Sequence, residues 1–283
     1  MRAKYRWLRR IESLDPVEDH QEIYRLSMGH EFPWDYARAL EFALFRTYCV
    51  PGISALLART GEFRDRPQKR YDDTALLMLE LVVNGYDSPR GREALRVVNG
   101  QHGRYAIGND EMRYVLSTFI YDPIDWIDRY GWRPLSAHER IAGFEFYRQV
   151  GRRMGIRDIP GTYEEFRDFK TGYEAAHFAA AASNTEIGNY TVNLFASWFP
   201  APLRPAARKG VLALLDPPML AAFGFPPPPR ALTRTAHLAL RGRARFVRLL
   251  PPRRQSTFDR EDLRNRTYPG YPKGYRPADL GAG

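Results

Sequence analysis

The run RYDDT places Arg70 and Thr74 four residues apart, one turn of a helix and one face, shared with Leu77, Met78 and Leu81. An arginine aimed at an apolar face needs an anion, because an unpaired guanidinium in such a place costs several kcal/mol. Two readings stand: an internal ion pair with Glu41 or Glu80, or a cofactor carboxylate or bound oxygen, with His102 holding a metal on the facing helix. Asp72 and Asp73, between the two, read as a solvated acidic pair.

His102 is the next residue equipped for chemistry. In GREALRVVNGQHGRY it follows Val98 by four and Leu95 by seven, which sets it on the apolar stripe of its helix. A histidine there is either a satisfied core residue or a metal ligand. Gly100 and Gly103 flank it. Each costs a helix about 1 kcal/mol relative to alanine, and each lets a bulky, flat group approach the backbone. His177, in YEAAHFAAAASN, precedes a run of alanines that permits close approach by a neighbouring helix or a cofactor. His138 falls in a capping box, and His20, His30 and His237 have no supporting context. There is no His-x-x-x-His or Cys-x-x-Cys spacing, no phosphate-binding loop and no Gly-x-Ser-x-Gly elbow, so zinc, di-iron, nucleotide and serine-hydrolase readings lack local support.

The elements that must position these residues are helical. Alternating β-branched runs are scarce, whereas 3.6-residue periodicity predicts helices over 19–28, 35–48, 51–59, 71–84, 89–106, 110–129, 136–153, 162–182, 185–198, 203–215 and 232–249. Ser88 before Pro89 reads as an N-cap, and Ser136 with Glu139 and Thr162 with Glu165 read as capping boxes. The stretch from Tyr36 to Ala58 carries Arg38, Glu41, Arg46 and Pro51, and reads as a buried helix that breaks at VPG and restarts. No segment reaches the roughly 20 apolar residues of a membrane span, and the basic start MRAKYRWLRR has no apolar run behind it, so neither a span nor a signal peptide is expected.

At 283 residues, 44% hydrophobic and 13% aromatic, the chain has the composition of a globular protein. Its lone cysteine, Cys49, excludes an internal disulfide framework and fits a reducing compartment. The net charge of +10 is concentrated after FPPPPR: thirteen Lys/Arg against four Asp/Glu from Arg230 to Gly283 give +9. A near-neutral body argues against nucleic-acid binding, and the basic tail suits an anionic membrane surface or acidic patches of the body. The expected organisation is a helical domain over 1–229 and a basic C-terminal extension over 230–283. After PPRR that extension reads as extended and clamped through YPGYPKGYRP.

From about Tyr36 to Phe225 the chain resembles the oxygenase family that unites MpaB with the latex-clearing rubber oxygenases. The resemblance lies in RYDDT, VVNGQHGRYAIGNDEMRYVLSTFIYDPIDWIDRYGWRPL, GRRMGIRDIPGTYEEF and YE. It is fuller on the MpaB side, through IGND, YGWRPL and DIP. The resemblance implies an all-α, globin-like core holding haem b, with His102 as the iron's proximal ligand. It also implies that Arg70 and Thr74 match the first and last positions of a distal Arg-x-x-Lys-Thr motif. The implied reaction is dioxygen-dependent cleavage of a carbon–carbon double bond in an isoprenoid chain, so the implied partners are a prenylated small molecule and dioxygen. Where some rubber oxygenases have a lysine as sixth iron ligand, Asp73 stands here, which leaves that position open or gives it to His177. The family's catalytic glutamate would fall near Ser54, with Glu62 a loose substitute. Phe119, Trp126 and Phe144 are expected to line a pocket for the prenyl chain. MpaB's membrane-spanning N-terminus is expected to have no counterpart, so the protein is placed in the cytoplasm, with surface contact to membrane through its tail. Two other readings remain at this point: a non-catalytic peripheral membrane protein, and a haem peroxidase-like or sensor protein on the same scaffold.

Overall fold

The computed structural model describes residues 4–259, 269, 271 and 274–281, and among them there are helices and turns but no strand. In chain order the helices begin with α1 (Arg6–Glu12), α2 (His20–Leu26), α3 (Pro33–Thr47), α4 (Pro51–Thr60), α5 (Glu62–Asp65), α6 (Pro67–Asn84) and α7 (Pro89–His102). They continue with α8 (Asn109–Tyr130), α9 (Ala137–Arg153), α10 (Tyr163–His177), α11 (Ala182–Ser197), α12 (Arg204–Leu212), α13 (Pro217–Phe223) and α14 (Arg230–Leu249). The all-α class expected from periodicity is the class observed.

Local chemistry explains where most of them start. Proline opens α3, α4, α6, α7 and α13, a position where its missing N–H is no loss. Ser88 caps α7 by accepting from the Gly91 N–H at 2.9 Å, and the Ser136–Glu139 and Thr162–Glu165 capping boxes both form. The long helix expected over 162–182 divides instead. Helix α10 stops at His177, and the buried Asn184 amide, donating to the carbonyls of Cys49, Ala179 and Ala222, fixes the break before α11. Helix α7 stops at His102 rather than running to 106, and α6 starts earlier than expected, on Pro67. Helices α1, α5 and α13 had no strong periodic signal; α13 is nucleated by Asp216, which accepts from the Met219 N–H at 3.0 Å.

Helices α3 and α8 pack together as the centre of the molecule, with α9 and α10 also against α8, and α2 against α9. Tyr36, Phe45, Tyr121, Tyr147, Phe146 and Phe166 are fully buried there. Helix α11 packs on α4, α12 and α13 to build a second apolar cluster around Phe45, Phe195 and Phe223. No single helix among the described residues is long and apolar enough to cross a membrane; α3 and α4 together would be, but a 99° bend parts them. That bend is the break expected at VPG.

Helix α14 lays one face on the body. Arg243 pairs with the buried Asp35 at 2.9 Å and stacks over Trp34, and Tyr130 and His237 meet through the Tyr130 hydroxyl and Nδ1 at 2.5 Å. The described part of the final segment is clamped on α6. The Tyr271 hydroxyl donates to Asp73, the Tyr275 hydroxyl to Glu80 at 2.7 Å, and Lys69 donates to the Gly281 carbonyl at 2.8 Å. The rest of the expected clamp, 260–268, 270, 272–273 and 282–283, lies outside the described residues.

Candidate functional site

The hairpin of α6 and α7 brings Arg70 and His102 to one end of the molecule. The return is tight: a Cβ on Gly91 would stand 2.0 Å from the Gly85 carbonyl oxygen, so only glycine permits it. Lys69 reaches the Gly281 carbonyl, while a side chain at Gly281 would run into Gln101. The first turn of α6 and the last turn of α7 therefore meet the same short segment.

Arg70 and Thr74 stand side by side and half-buried, with the Arg70 guanidinium donating to the Thr74 hydroxyl. They line a cleft with Glu41, Tyr48, Phe63 and Thr191, and Arg70 lies 5.6 Å from the centre of the Phe63 ring. Neither expected ion-pair partner takes Arg70. Glu41 accepts from Arg38 at 2.6 Å and from the Tyr71 hydroxyl at 2.5 Å, and Glu80 is occupied by Arg90, Asn84 and Tyr275. Among the described residues Arg70 forms no ion pair. The acidic pair beside it is not solvated, contrary to expectation. Asp72 and Asp73 are buried, the first accepting from Gln68 and the second from Lys69 and Tyr271. Those donors, one turn earlier and 198 residues later, replace water.

His102 sits at the end of α7 with Nδ1 buried and without a hydrogen-bond partner among the described residues. Burial, and after it the charge of Arg70, push its imidazole below the ordinary value, so the ring is neutral near pH 7 and keeps a free lone pair. A Cβ on Gly100 would meet nothing within 4 Å, so the turn beside His102 faces open space.

Other expected residues stand elsewhere. His177 is exposed at the end of α10, stacked 4.0 Å from Tyr173 with Nδ1 2.9 Å from the Tyr173 carbonyl, and no contact joins it to Arg70, Thr74 or His102. The expectation that the chain lacks a Glu-x-x-His spacing is corrected by Glu174 and His177, but Glu174 is held by Arg46 and Lys170. Glu62 pairs with Arg66, and Ser54 bonds to Ser183 and Asn184. Phe119, Trp126 and Phe144 pack on other aromatic rings of the core, and none lines the Arg70 cleft. Sequence reasoning offered Glu41 only as a counter-ion for Arg70 and missed its own place on the cleft. Burial there raises its carboxyl to about 7 against the pull of Arg38 and Tyr71. A lone glutamate in an apolar helical run was its only signal.

These residues suit haem. Among the described residues no three His, Cys, Asp or Glu side chains converge on a point, so His102 would be the sole protein ligand. One imidazole suffices for iron whose other ligands come from a macrocycle, and is too little for a bare ion. An unpaired arginine nearby can take an acidic group of the same macrocycle.

Residues 39–249 match the family model described as the catalytic domain of ER-bound oxygenase mpaB/B′ and rubber oxygenase. The chain is 30% identical to ER-bound oxygenase mpaB of Penicillium roqueforti (strain FM164) over 226 residues, 72% of this chain and 76% of that protein. It is 29% identical to ER-bound oxygenase mpaB of Penicillium brevicompactum over 253 residues, and 27% identical to mpaB′ of the same organism over 274. Those two alignments cover 79% and 90% of this chain and 64% of each relative.

Proposed function

We propose that this protein, which belongs to the oxygenase catalytic-domain family of mpaB, mpaB′ and the rubber oxygenases and is an enzyme of the oxidoreductase class, uses haem b and dioxygen to cleave a carbon–carbon double bond in a prenyl chain. The observation that carries the haem reading is the buried, unpartnered Nδ1 of His102, within electrostatic reach of the unpaired guanidinium of Arg70. Haem, when bound, supplies the activation of dioxygen. The chain's own residues hold and shape the site. The neutral imidazole of His102 would hold the iron. The guanidinium of Arg70 holds an anionic oxygen of the cofactor or of the reacting partner, and Thr74, fixed by Arg70, offers a hydroxyl beside it. Glu41 holds or releases a proton at its carboxylate near neutral pH on the same cleft. The walls formed by Leu44, Tyr48, Phe63, Leu194 and Phe195 are apolar, as an isoprenoid chain requires.

The extension from residue 230 and the ER-bound naming of the relatives support a place at a membrane surface, where prenylated substrates partition. The test is direct. Protein expressed with adequate haem supply should show a strong Soret band and, given dioxygen and a prenylated aromatic compound, release a chain-shortened carbonyl product. A colourless protein that binds no added haemin would overturn the haem reading, and a haem protein without that product would overturn the reaction.

A further inference from the structure

At the junction of α8 and α14, remote in sequence from the Arg70 cleft, Arg129, Arg234, His237, Leu238 and Arg241 surround an open basin of about 500 Å³. Three of the five lining residues are arginines, and no carboxylate is among them. Arg129, Arg234 and Arg241 form no ion pair among the described residues, although neighbouring acids do: Asp125 pairs with Arg167 and Asp128 with Arg140. The basin is built rather than incidental, because His237 is pinned to the Tyr130 hydroxyl and its ring stacks on that of Tyr130. Arg129 comes from α8 and the other two arginines from one face of α14, two turns apart, so the charges converge from two elements. Like charges gathered around one concavity are tolerated most readily when an anion joins them.

We propose that this basin binds a phosphate-bearing ligand, held by the guanidiniums of Arg129, Arg234 and Arg241. Arginine forks match phosphate oxygens two at a time, and a basin of this size accepts a headgroup or a small diphosphate. Leu238, at the rim, is 65% exposed, and on the same outer face of α14 Phe246 and Leu249 are 62% and 83% exposed. That apolar edge suits a phosphate presented by a lipid surface, while a free phosphate or diphosphate would satisfy the same arginines. The inference stands independently of the haem reading.

The experiment uses the full chain and two probes. Phosphatidylcholine vesicles with and without phosphatidic acid are tested by co-sedimentation, and inorganic pyrophosphate is tested by calorimetry. At least one probe should bind, and Arg129→Gln should weaken it by about tenfold or more, the size expected for one charge-assisted contact. Arg248→Gln, an exposed arginine of α14 outside the basin, should leave binding within about twofold, as for a single solvent-screened charge. Arg234→Gln, a basin substitution at an exposed position, should weaken binding as Arg129→Gln does, and circular dichroism checks that each variant is folded. Binding of vesicles alone identifies a lipid headgroup, and binding of pyrophosphate identifies a soluble anion; either supports the basin. Binding of neither probe, or equal weakening by Arg129→Gln and Arg248→Gln, would overturn it in favour of a diffuse basic helix.

Discussion

The Tyr271 hydroxyl donates a hydrogen bond to Asp73, the residue immediately before Thr74. The C-terminal segment thereby closes on the turn of α6 that presents the Arg70–Thr74 pair. Tyr271→Phe leaves the buried Asp73 with the Lys69 ammonium as donor, and a buried acceptor deprived of one partner costs about 1–3 kcal/mol. For a chain of this size that lowers Tm by about 2–4 °C per kcal/mol. A melting curve identical to that of the unmodified protein would show that the clamp adds nothing.

His102→Ala should give folded protein that does not retain stoichiometric haem, read as loss of the Soret band. The side chain is half-buried at a helix end, so its removal should leave the far-ultraviolet circular dichroism unchanged. His177→Ala, an exposed position, should keep the band. The reverse pattern would move the ligand to His177.

Arg70→Lys keeps the charge but loses the fork that donates to Thr74, and Thr74→Val keeps the shape but loses the hydroxyl. Each should lower turnover at least about tenfold, the cost of one charge-assisted contact, with helix content preserved. Unaltered turnover in both would remove the pair from the chemistry.

Arg46 is ion-paired with Asp122 and Glu174, both at 3.2 Å, and with Asp216, and so links α3 to α8, α10 and the cap of α13. Lys170, bound to Asp122 at 3.0 Å and Glu174 at 2.7 Å, is the second cation of the network. Arg46→Met leaves Asp122 and Glu174 to share Lys170 and removes the cation paired with Asp216, and loss of one partner from a buried ionic cluster costs about 3–5 kcal/mol. Urea unfolding should show that loss as a lower midpoint with an unchanged slope; a shift within about 0.5 kcal/mol, the range of neutral surface substitutions, would mark the network as dispensable.

What could be read in the sequence follows the range of the forces involved. Helices α3, α4, α8 and α9 were legible because apolar spacing, prolines and caps act within a few residues. The pairing of Arg70 with Thr74 was legible for the same reason. The break at 178–181 was not, because it depends on Asn184 reaching carbonyls of Cys49 and Ala222, 135 and 38 residues away. Asp72 and Asp73 read as solvated because Tyr271, the partner that lets one of them be buried, is 198 residues downstream. Glu41 looked like a counter-ion because its charge was visible and its commitment to Arg38 and Tyr71 was not.

Glu41 gives the site a pH dependence whose sign can be worked out. Burial raises its carboxyl from 4.5 to about 7 in the folded protein, while Arg38 and Tyr71 pull the other way with less effect. Between those two pH values the folded chain holds a proton that the unfolded chain has lost, so unfolding releases it, and stability falls as pH rises across that window. The contribution of Glu41 is fully present below pH 4.5 and is gone above about 7. Glu41→Gln, which cannot ionise, should therefore gain on the unmodified protein as pH rises from 4.5 to 8, measured as the difference between their urea midpoints. The same titration leaves the cleft with a proton acceptor only in the upper part of that range, so turnover of the unmodified enzyme should rise through about pH 7 and that limb should vanish in Glu41→Gln. A constant difference between midpoints at every pH would mean that Glu41 titrates as an ordinary surface carboxylate, and its role at the cleft would fall with it.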